Sequence, residues 1–364
     1  MRLIDLAVTD FRNIGRININ TASKFVVFYG DNGQGKTNII ESICALSTLK
    51  SFRTHKRSEL IKWGSNLAKI SGHIDDEGHK RLFEYELTGD NRKSKVDGKS
   101  PETLSDYFQS IRAIVFAPSH VNIVRGGPDV RRDFIDRAVF TSRPTYLETY
   151  RVFRKLLAQK GALLKSGWAD PVQLDVIDEQ LALAGAKVSV KRREFIQYLS
   201  VPFNEMHIKI ANSDGASIRY RGCLGDGDLD EQTNRYMELL QSKRQEAIER
   251  GWDTVGPQRD DLVIELNQHR ARPFASQGQA RSLVLALKLS ELFVVREMGA
   301  RPMFLLDDLS SELDEYRRNS LIDTLNSLDV QCFISTTSPD LFNSKDASDM
   351  ALFHVKNGEV TRSQ

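Results

Sequence analysis

Cysteine is scarce in this chain, with Cys44, Cys223 and Cys332 the only three in 364 residues. Their separations match neither a disulfide framework nor a metal-binding pattern, which excludes a cross-linked secreted scaffold and a zinc module. Each sits among apolar neighbours and is expected to be a reduced, buried packing residue. Long hydrophobic runs are lacking too: none approaches the roughly 18 apolar residues that a membrane-spanning helix needs, so no membrane partner is expected from the chain itself. Residues Met1 to Asp10 alternate like a strand and lack the charged head and long apolar stretch of a secretion signal, so a cytoplasmic location is expected. There is no repeat of fixed period and no low-complexity tract, which sets aside solenoids and disordered tails. Charge of one sign is not in large excess either, with 51 Lys and Arg against 49 Asp and Glu. The balance is uneven locally, because residues 122–204 hold 14 basic and 9 acidic side chains. That modest excess permits a polyanion partner without requiring one.

What is present begins with Gly30, Asp31, Asn32, Gly33, Gln34, Gly35, Lys36 and Thr37. They follow the apolar run Phe25 to Tyr29 and open a helical segment ending near Leu49, the strand–loop–helix context that a phosphate-binding loop requires. Three glycines let backbone N–H groups turn inward, and the helix N-terminus adds partial positive charge. Lys36 is placed to reach the outer phosphates of a nucleoside triphosphate and Thr37 to offer a hydroxyl to Mg²⁺, with Asn38 following in the first helical turn. The expected ligands are therefore a nucleoside triphosphate and Mg²⁺.

A second element is Met303 to Asp308, an apolar strand ending in two carboxylates. Asp307 is assigned to the metal and Asp308 to the attacking water as the catalytic residue. Phosphate-bound Mg²⁺ keeps most of its ligands as water, so Thr37 and Asp307 suffice as protein oxygens. A third element, Ala275 to Gln279, precedes a long Leu-, Val- and Ala-rich helix running from Gln279 to about Glu297. A helix start of this kind is a second anion site. Either the fold gathers both cradles around one triphosphate, or Ser276, Gly278 and Gln279 meet a phosphate held by Lys36 of another copy.

Along the chain, residues 1–122 read as strands around the loop and its helix, with a hairpin or exposed turn at Thr88 to Gly98 and a short strand, Ile111 to Ala117, stopped by Pro118. From 123 to 204 the period becomes helical. Tyr146, Tyr150, Phe153, Leu157 and Leu164 lie near heptad spacing, as do Leu174, Ile177, Leu181, Ala184, Val188 and Phe195, with turn chemistry from Ser166 to Pro171 between them. This predicts a short antiparallel helical hairpin whose arms, about 22 residues each, reach about 33 Å. Residues 205–364 form the second part of the core. They open with a strand near Ile218 and a charged helix from about Asp230 to Arg250, followed by a turn and strand over Thr254 to Leu266.

Taken with Asp10 to Asn13, Ser51 to Thr54, Gly126 to Asp136, Gln159 to Lys165, Gly256 to Asp261 and Leu305 to Asp314, these motifs make the chain similar to the ABC/SMC-type ATPases. Among them it resembles the RecF family of bacterial recombination mediators. The run Gly126, Gly127, Pro128, Arg131, Arg132, Phe134, Ile135 and Asp136 is the most discriminating. The resemblance covers almost the whole length. It implies an α/β, P-loop, ABC/SMC-like ATPase head with an inserted short antiparallel helical hairpin arm. It implies that Ser276 to Gln279 act in trans, that Ser311 to Asp314 cross a dimer interface, and that Thr336 and Thr337 sense γ-phosphate. ATP as the nucleoside triphosphate and its weak, DNA-stimulated hydrolysis follow, together with an ATP-dependent homodimer on gapped or junction DNA, and RecR- and RecO-like partners in recombinational repair. Two positions depart from the family pattern: Ser119-His120 stands where an acid commonly follows the proline, and Gln258 where His is common. Asp308 is shorter than the Glu of fast transport ATPases, so turnover is expected to be slow.

Blander readings stand beside these. Ser311 with Glu312 and Asp314 also suits a helix start, and Thr336 and Thr337 a strand end. Arg131, Arg132, Lys191, Arg192 and Arg193 are the candidate DNA contacts, placed to meet phosphates. The alternative for Arg131 and Arg132 is bracing against carboxylates such as Asp133 or Asp136, and for residues 191–193 a solvated or paired helix flank. The rival function is the nucleotide-binding subunit of a membrane transporter, which needs neither the helical hairpin nor the paired arginines.

Overall fold

The computed structural model describes residues 1–89, 91–166, 170–213, 215–309, 314–339 and 349–363. Contacts divide the chain into two units, 1–120 with 209–212 and 285–364, and 121–208 with 213–284. The three-segment expectation, with its arm over 123–204, differs from this partition chiefly in residues 205–208 and 213–284, which group with the helical arm.

In chain order the first unit has β1 (Arg2–Leu3), β2 (Asp5–Phe11), β3 (Ile14–Asn20), β4 (Phe25–Tyr29), α1 (Lys36–Thr48), β5 (Ala68–Asp76), β6 (His79–Thr88), β7 (Asn91–Val96), α2 (Leu104–Ser110) and β8 (Ala113–Phe116). The second unit follows with α3 (Asn122–Arg125), α4 (Pro128–Ser142), α5 (Tyr146–Lys165), α6 (Pro171–Ala211), β9 (Ala216–Arg221), α7 (Leu229–Ser242), α8 (Arg244–Arg250), β10 (Asp261–Leu266), β11 (His269–Arg270) and α9 (Ala271–Phe274). Helix α10 (Gln277–Glu297) starts in the second unit and ends in the first. The first unit then closes with β12 (Met303–Leu306), α11 (Glu315–Ser327), β13 (Cys332–Thr336), β14 (Met350–Lys356) and β15 (Glu359–Arg362).

Two six-stranded sheets build the first unit. One is antiparallel, in the order β3-β2-β5-β6-β7 with β1 on β5, and its members alternate buried and exposed positions, as in Ala68–Asp76. The other runs β15-β14-β4-β13-β12-β8 and is parallel from β14 to β8. Parallel strands covered on both faces read as unbroken apolar runs, and Met303–Leu306, Ala113–Phe116 and Cys332–Thr336 are buried at every residue. Helix α1 packs against strands of both sheets, so it buries nearly its whole circumference. Gln331 joins the sheets at their other end: its amide donates to Leu3 O at 3.0 Å and Thr21 O at 2.7 Å, and accepts from Leu3 N–H at 2.7 Å.

In the second unit the heptad positions Leu174, Leu181, Val188 and Phe195 are all buried. On α5 the inward residue is Leu156 rather than the expected Leu157. The hairpin is unequal, with 20 residues in α5 and 41 in α6. The expected arm of about 22 residues is therefore half the observed length of the second helix. Pro202 lies inside α6, where a proline ordinarily ends a helix. The helix continues because Leu199, Phe203 and Ile210 are fully buried around it, and tertiary packing outweighs local propensity. The turn between the arms includes residues 167–169, outside the described residues. Cys44 and Cys332 are buried as expected, whereas Cys223, in the turn after β9, is exposed and corrects the sequence expectation.

Candidate nucleotide site

The parallel register places the C-terminal ends of four strands in one row. Tyr29 pairs with Thr336, Leu306 with Ile334, and Leu306 with Phe116. The crevice beyond such strand ends is where open α/β sheets bind ligands. Here it collects the loop after β4, the acidic residues after β12, Ser335 near the end of β13 and the turn after β8. A cavity of about 540 Å³ is lined by residues of the phosphate loop together with Phe52, Arg53, Ala117 to Ser119, Asp307, Asp308 and Ser335.

The loop geometry depends on glycine. Gly30, Gly33 and Gly35 have φ of 140°, 80° and 116°, a region that side chains with Cβ rarely enter. A Cβ on Gly30 would lie 2.5 Å from Val355 O, and one on Gly35 would lie 2.8 Å from Asn13 Oδ1. Gly35 is the residue before α1 and no side chain caps the helix, which leaves backbone donors for an anion. The loop is tied down from outside. Gln34 O accepts from Gly358 N–H at 2.8 Å and from the Asn13 amide at 3.2 Å, and Gln34 Oε1 accepts from Asn357 N–H at 2.8 Å.

Lys36 is 8% exposed, and its ammonium donates to Gly30 O at 2.6 Å and Asp31 O at 2.7 Å. Burial lowers its pKa from the ordinary lysine value, opposed by the charges of Asp308, Asp31 and Asp307. Thr37 Oγ1 donates to Asp307 Oδ1 at 2.7 Å, and Ser335 Oγ donates to the same oxygen at 2.7 Å. Asp307 is 5% exposed. Burial pushes its carboxyl above the usual range, against the two hydroxyl hydrogen bonds. Asp308 donates its N–H to Ser335 Oγ at 2.8 Å and sits at φ 58°, left-handed backbone that Asp tolerates better than most residues and that concentrates at functional sites. The structure thus brings together Gly30 to Thr37, Asp307 and Asp308 from strands about 270 residues apart in sequence. Asn38 stands at the rim, bonded to Asn13 and to Arg53.

Sequence reasoning missed Ser335, Asn13 and Arg53 as parts of this site. The last two fall in stretches that carried the family resemblance, but no local pattern gave them a role. Ser335 lies in a strand buried at every position, so alternation gave no signal. Below the rim, Glu41 is a fully buried carboxylate held by Arg12 at 2.8 Å, Arg53 at 3.2 Å and Ser51 at 2.5 Å.

The signature segment belongs to the second unit. Ser276 Oγ accepts from Gln279 N–H at 3.2 Å, and Gln279 Oε1 accepts from Ser276 N–H at 2.8 Å, a reciprocal capping box at the start of α10. Ser276 and Gln279 are exposed and Gly278 is half-buried. Of the expected interface loop, 311–313 lie outside the described residues, and Asp314 caps α11 through Arg317 N–H. Thr336 is buried and donates to Ser338 O at 3.2 Å. Ser119 is at the cavity wall, and Gln258 donates to Val255 O at 2.6 Å.

The candidate DNA contacts need correction. Arg131 is 5% exposed and grips Asp261 through two bonds of 2.6 and 3.0 Å. Arg192 is 2% exposed, grips Asp136 at 2.7 and 2.8 Å, and donates to Pro257 O at 2.7 Å. Both are therefore internal braces rather than phosphate contacts, because each guanidinium is buried and spent on a carboxylate that would lose its main partner. Of the carboxylates proposed as bracing partners, Asp136 is used, by Arg192 rather than by Arg131 or Arg132. Arg132 donates to Asp260 O at 2.8 Å, Lys191 pairs with Glu194 at 3.0 Å, and Arg193 pairs with Asp226 and bonds Gly225 O.

Comparison with known proteins agrees with this architecture. The description "RecF/RecN/SMC N terminal domain" matches residues 2–361. A DNA replication and repair protein RecF from Geotalea uraniireducens is 38% identical over 99% of this chain and 100% of its own length. The solved structure of a recombination mediator protein RecF with ATP, of the RecFOR pathway, superposes with a TM-score of 0.90 at 28% identity, over 100% of this chain and 97% of that one. An Smc head bound to the C-terminal winged-helix domain of ScpA shares the fold at 14% identity, with a TM-score of 0.59 over 100% of this chain and 97% of that one. These full-length matches do not favour the transporter-subunit reading. On a family match from end to end and an α/β ATPase-head fold built around a phosphate loop, the chain belongs to the RecF family of DNA replication and repair proteins.

Proposed function

We propose that the first unit binds ATP on Gly30 to Asn38 and that bound ATP drives pairing of two copies on DNA. The observation that carries this is the Thr37–Asp307–Ser335 hydrogen-bonded group beside a glycine loop with uncapped helical N–H donors. Lys36 is positioned to exchange its two carbonyl partners for phosphate oxygens. Near 4 Å, at an effective dielectric of 20, that contact is worth about 4 kcal/mol. Thr37 Oγ1 and Asp307 Oδ1 offer hard oxygen donors side by side, which suits Mg²⁺. Bound there, Mg²⁺ would neutralise phosphate charge. Asp308 is the proposed orienter of the attacking water, with slow, DNA-stimulated turnover because its carboxylate is short.

Ser276, Gly278 and Gln279 are proposed to complete the site of a second copy in trans through their exposed helix start. The working context is gapped or junction DNA in recombinational repair and replication-gap processing in the cytoplasm, with RecR- and RecO-like partners. Family membership and the RecFOR pathway named for a solved relative support this context. The test is sedimentation with ATP, ADP or neither. ATP alone should produce the dimer; Lys36→Met and Ser276→Arg should stay monomeric, and Asp308→Asn should accumulate the ATP dimer. A Ser276→Arg variant that pairs normally would refute the trans assignment.

A further inference from the structure

Trp63 is 99% exposed, the most exposed large apolar side chain among the described residues. Its position is built. Ser65 N–H donates to Lys62 O at 3.0 Å, closing a four-residue turn with Gly64 in third place at φ 86°, as a type II turn requires. The segment before it is anchored to β2: Arg12 N–H donates to Leu60 O at 2.8 Å, Lys62 N–H donates to Asp10 O at 2.8 Å, and Ile61 bridges Phe11. The indole is thus presented on a fixed turn.

The chain leading to it is basic. Between residues 53 and 63 stand Arg53, Lys56, Arg57 and Lys62 against the single acid Glu59, and of these Arg53 is spent on Glu41 and Asn38. Lys56 has 78% of its side chain exposed, with a loose 3.8 Å contact to Glu59. A protein docking surface surrounds an aromatic anchor with a water-excluding rim. A flat ring standing in water at the end of a basic stretch of chain instead suits stacking on a nucleobase while charge follows the backbone.

We infer that Trp63 stacks on an unpaired base of nucleic acid, with the exposed Lys56 of the preceding segment holding an adjoining phosphate. This rests on the proposed DNA role and adds to it a residue that tells a single-stranded step from continuous duplex, because a base inside a closed helix offers the ring no free face.

The test uses the full chain with ATP and a labelled duplex carrying a single-stranded gap, beside a blunt duplex of equal length, comparing the parent with Trp63→Ala and Trp63→Phe. Trp63→Ala should bind gapped DNA about fivefold to a hundredfold more weakly, with blunt-duplex affinity and melting temperature unchanged. Trp63→Phe should stay much closer to the parent. If the parent binds gapped DNA and Trp63→Ala binds it equally well, the stacking role is wrong while the DNA role stands. If the parent binds neither DNA, the DNA role itself fails and takes the stacking role with it. Equal losses on both DNAs, or loss of ATP-dependent pairing in sedimentation, would make Trp63 a backbone contact or a copy-to-copy contact and overturn the inference.

Discussion

Replacing Arg192 with Met separates two accounts of the basic stretch at 191–193. The guanidinium is 2% exposed, holds Asp136 through two bonds and reaches Pro257 O, while Tyr146 donates to Asp136 at 2.6 Å. Burial opposes the guanidinium charge, and Asp136 more than restores it, so its pKa is raised well above the ordinary value. Truncation leaves Asp136 partly buried with Tyr146 as its remaining donor, and loss of one partner of a buried pair costs about 3–5 kcal/mol. In a unit of roughly 160 residues, where each kcal/mol moves the midpoint by about 2–4 °C, the transition of that unit should fall by about 6–20 °C. Pairing the change with Asp136→Leu should recover part of the loss, since the stranded charge is gone while the Pro257 carbonyl and Tyr146 hydroxyl still lack partners. Calorimetry with urea titration reads both variants. A loss under about 1 kcal/mol, with a salt-dependent fall in DNA affinity, would refute the brace and restore Arg192 as a phosphate contact.

Asp307→Asn should leave the nucleotide-free protein at least as stable as the parent near pH 7–8. The parent's raised carboxyl binds its proton more tightly folded than unfolded, so its stability falls as pH rises through the folded pKa. The advantage should shrink toward pH 4, while Mg²⁺-ATP affinity drops at least about tenfold; melting curves across pH and nucleotide titration check both, and an unstable variant refutes the burial argument. Lys160 Nζ lies 2.6 Å from Asp178 and 2.7 Å from Asp253, all three buried. Burial raises Asp253 and Lys160 lowers it, so Lys160→Met should raise it further and be destabilised more at pH 8 than at pH 5 in urea titrations. A pH-independent loss would argue against that assignment.

Features whose physics is local could be read directly from the order of residues. Glycines at positive φ before a helix, an apolar strand ending in two acids, and Leu174, Leu181, Val188 and Phe195 at seven-residue spacing each carry their meaning within a few turns of chain. Even there, the heptad pattern gave an arm of about 22 residues against the 41 of α6, because the burial of Phe203 and Ile210 beyond it is a long-range effect. Which charge meets which was settled by folding, not by sequence order. Arg192 and Asp136 are 56 residues apart, Arg131 and Asp261 are 130 apart, and Thr37 and Asp307 are 270 apart. A cation reads the same in sequence whether it faces water or a buried carboxylate. Desolvation and geometry, which exist only once the chain has folded, turned two candidate DNA contacts into braces, set Ser335 beside Asp307, and left Trp63 in solvent.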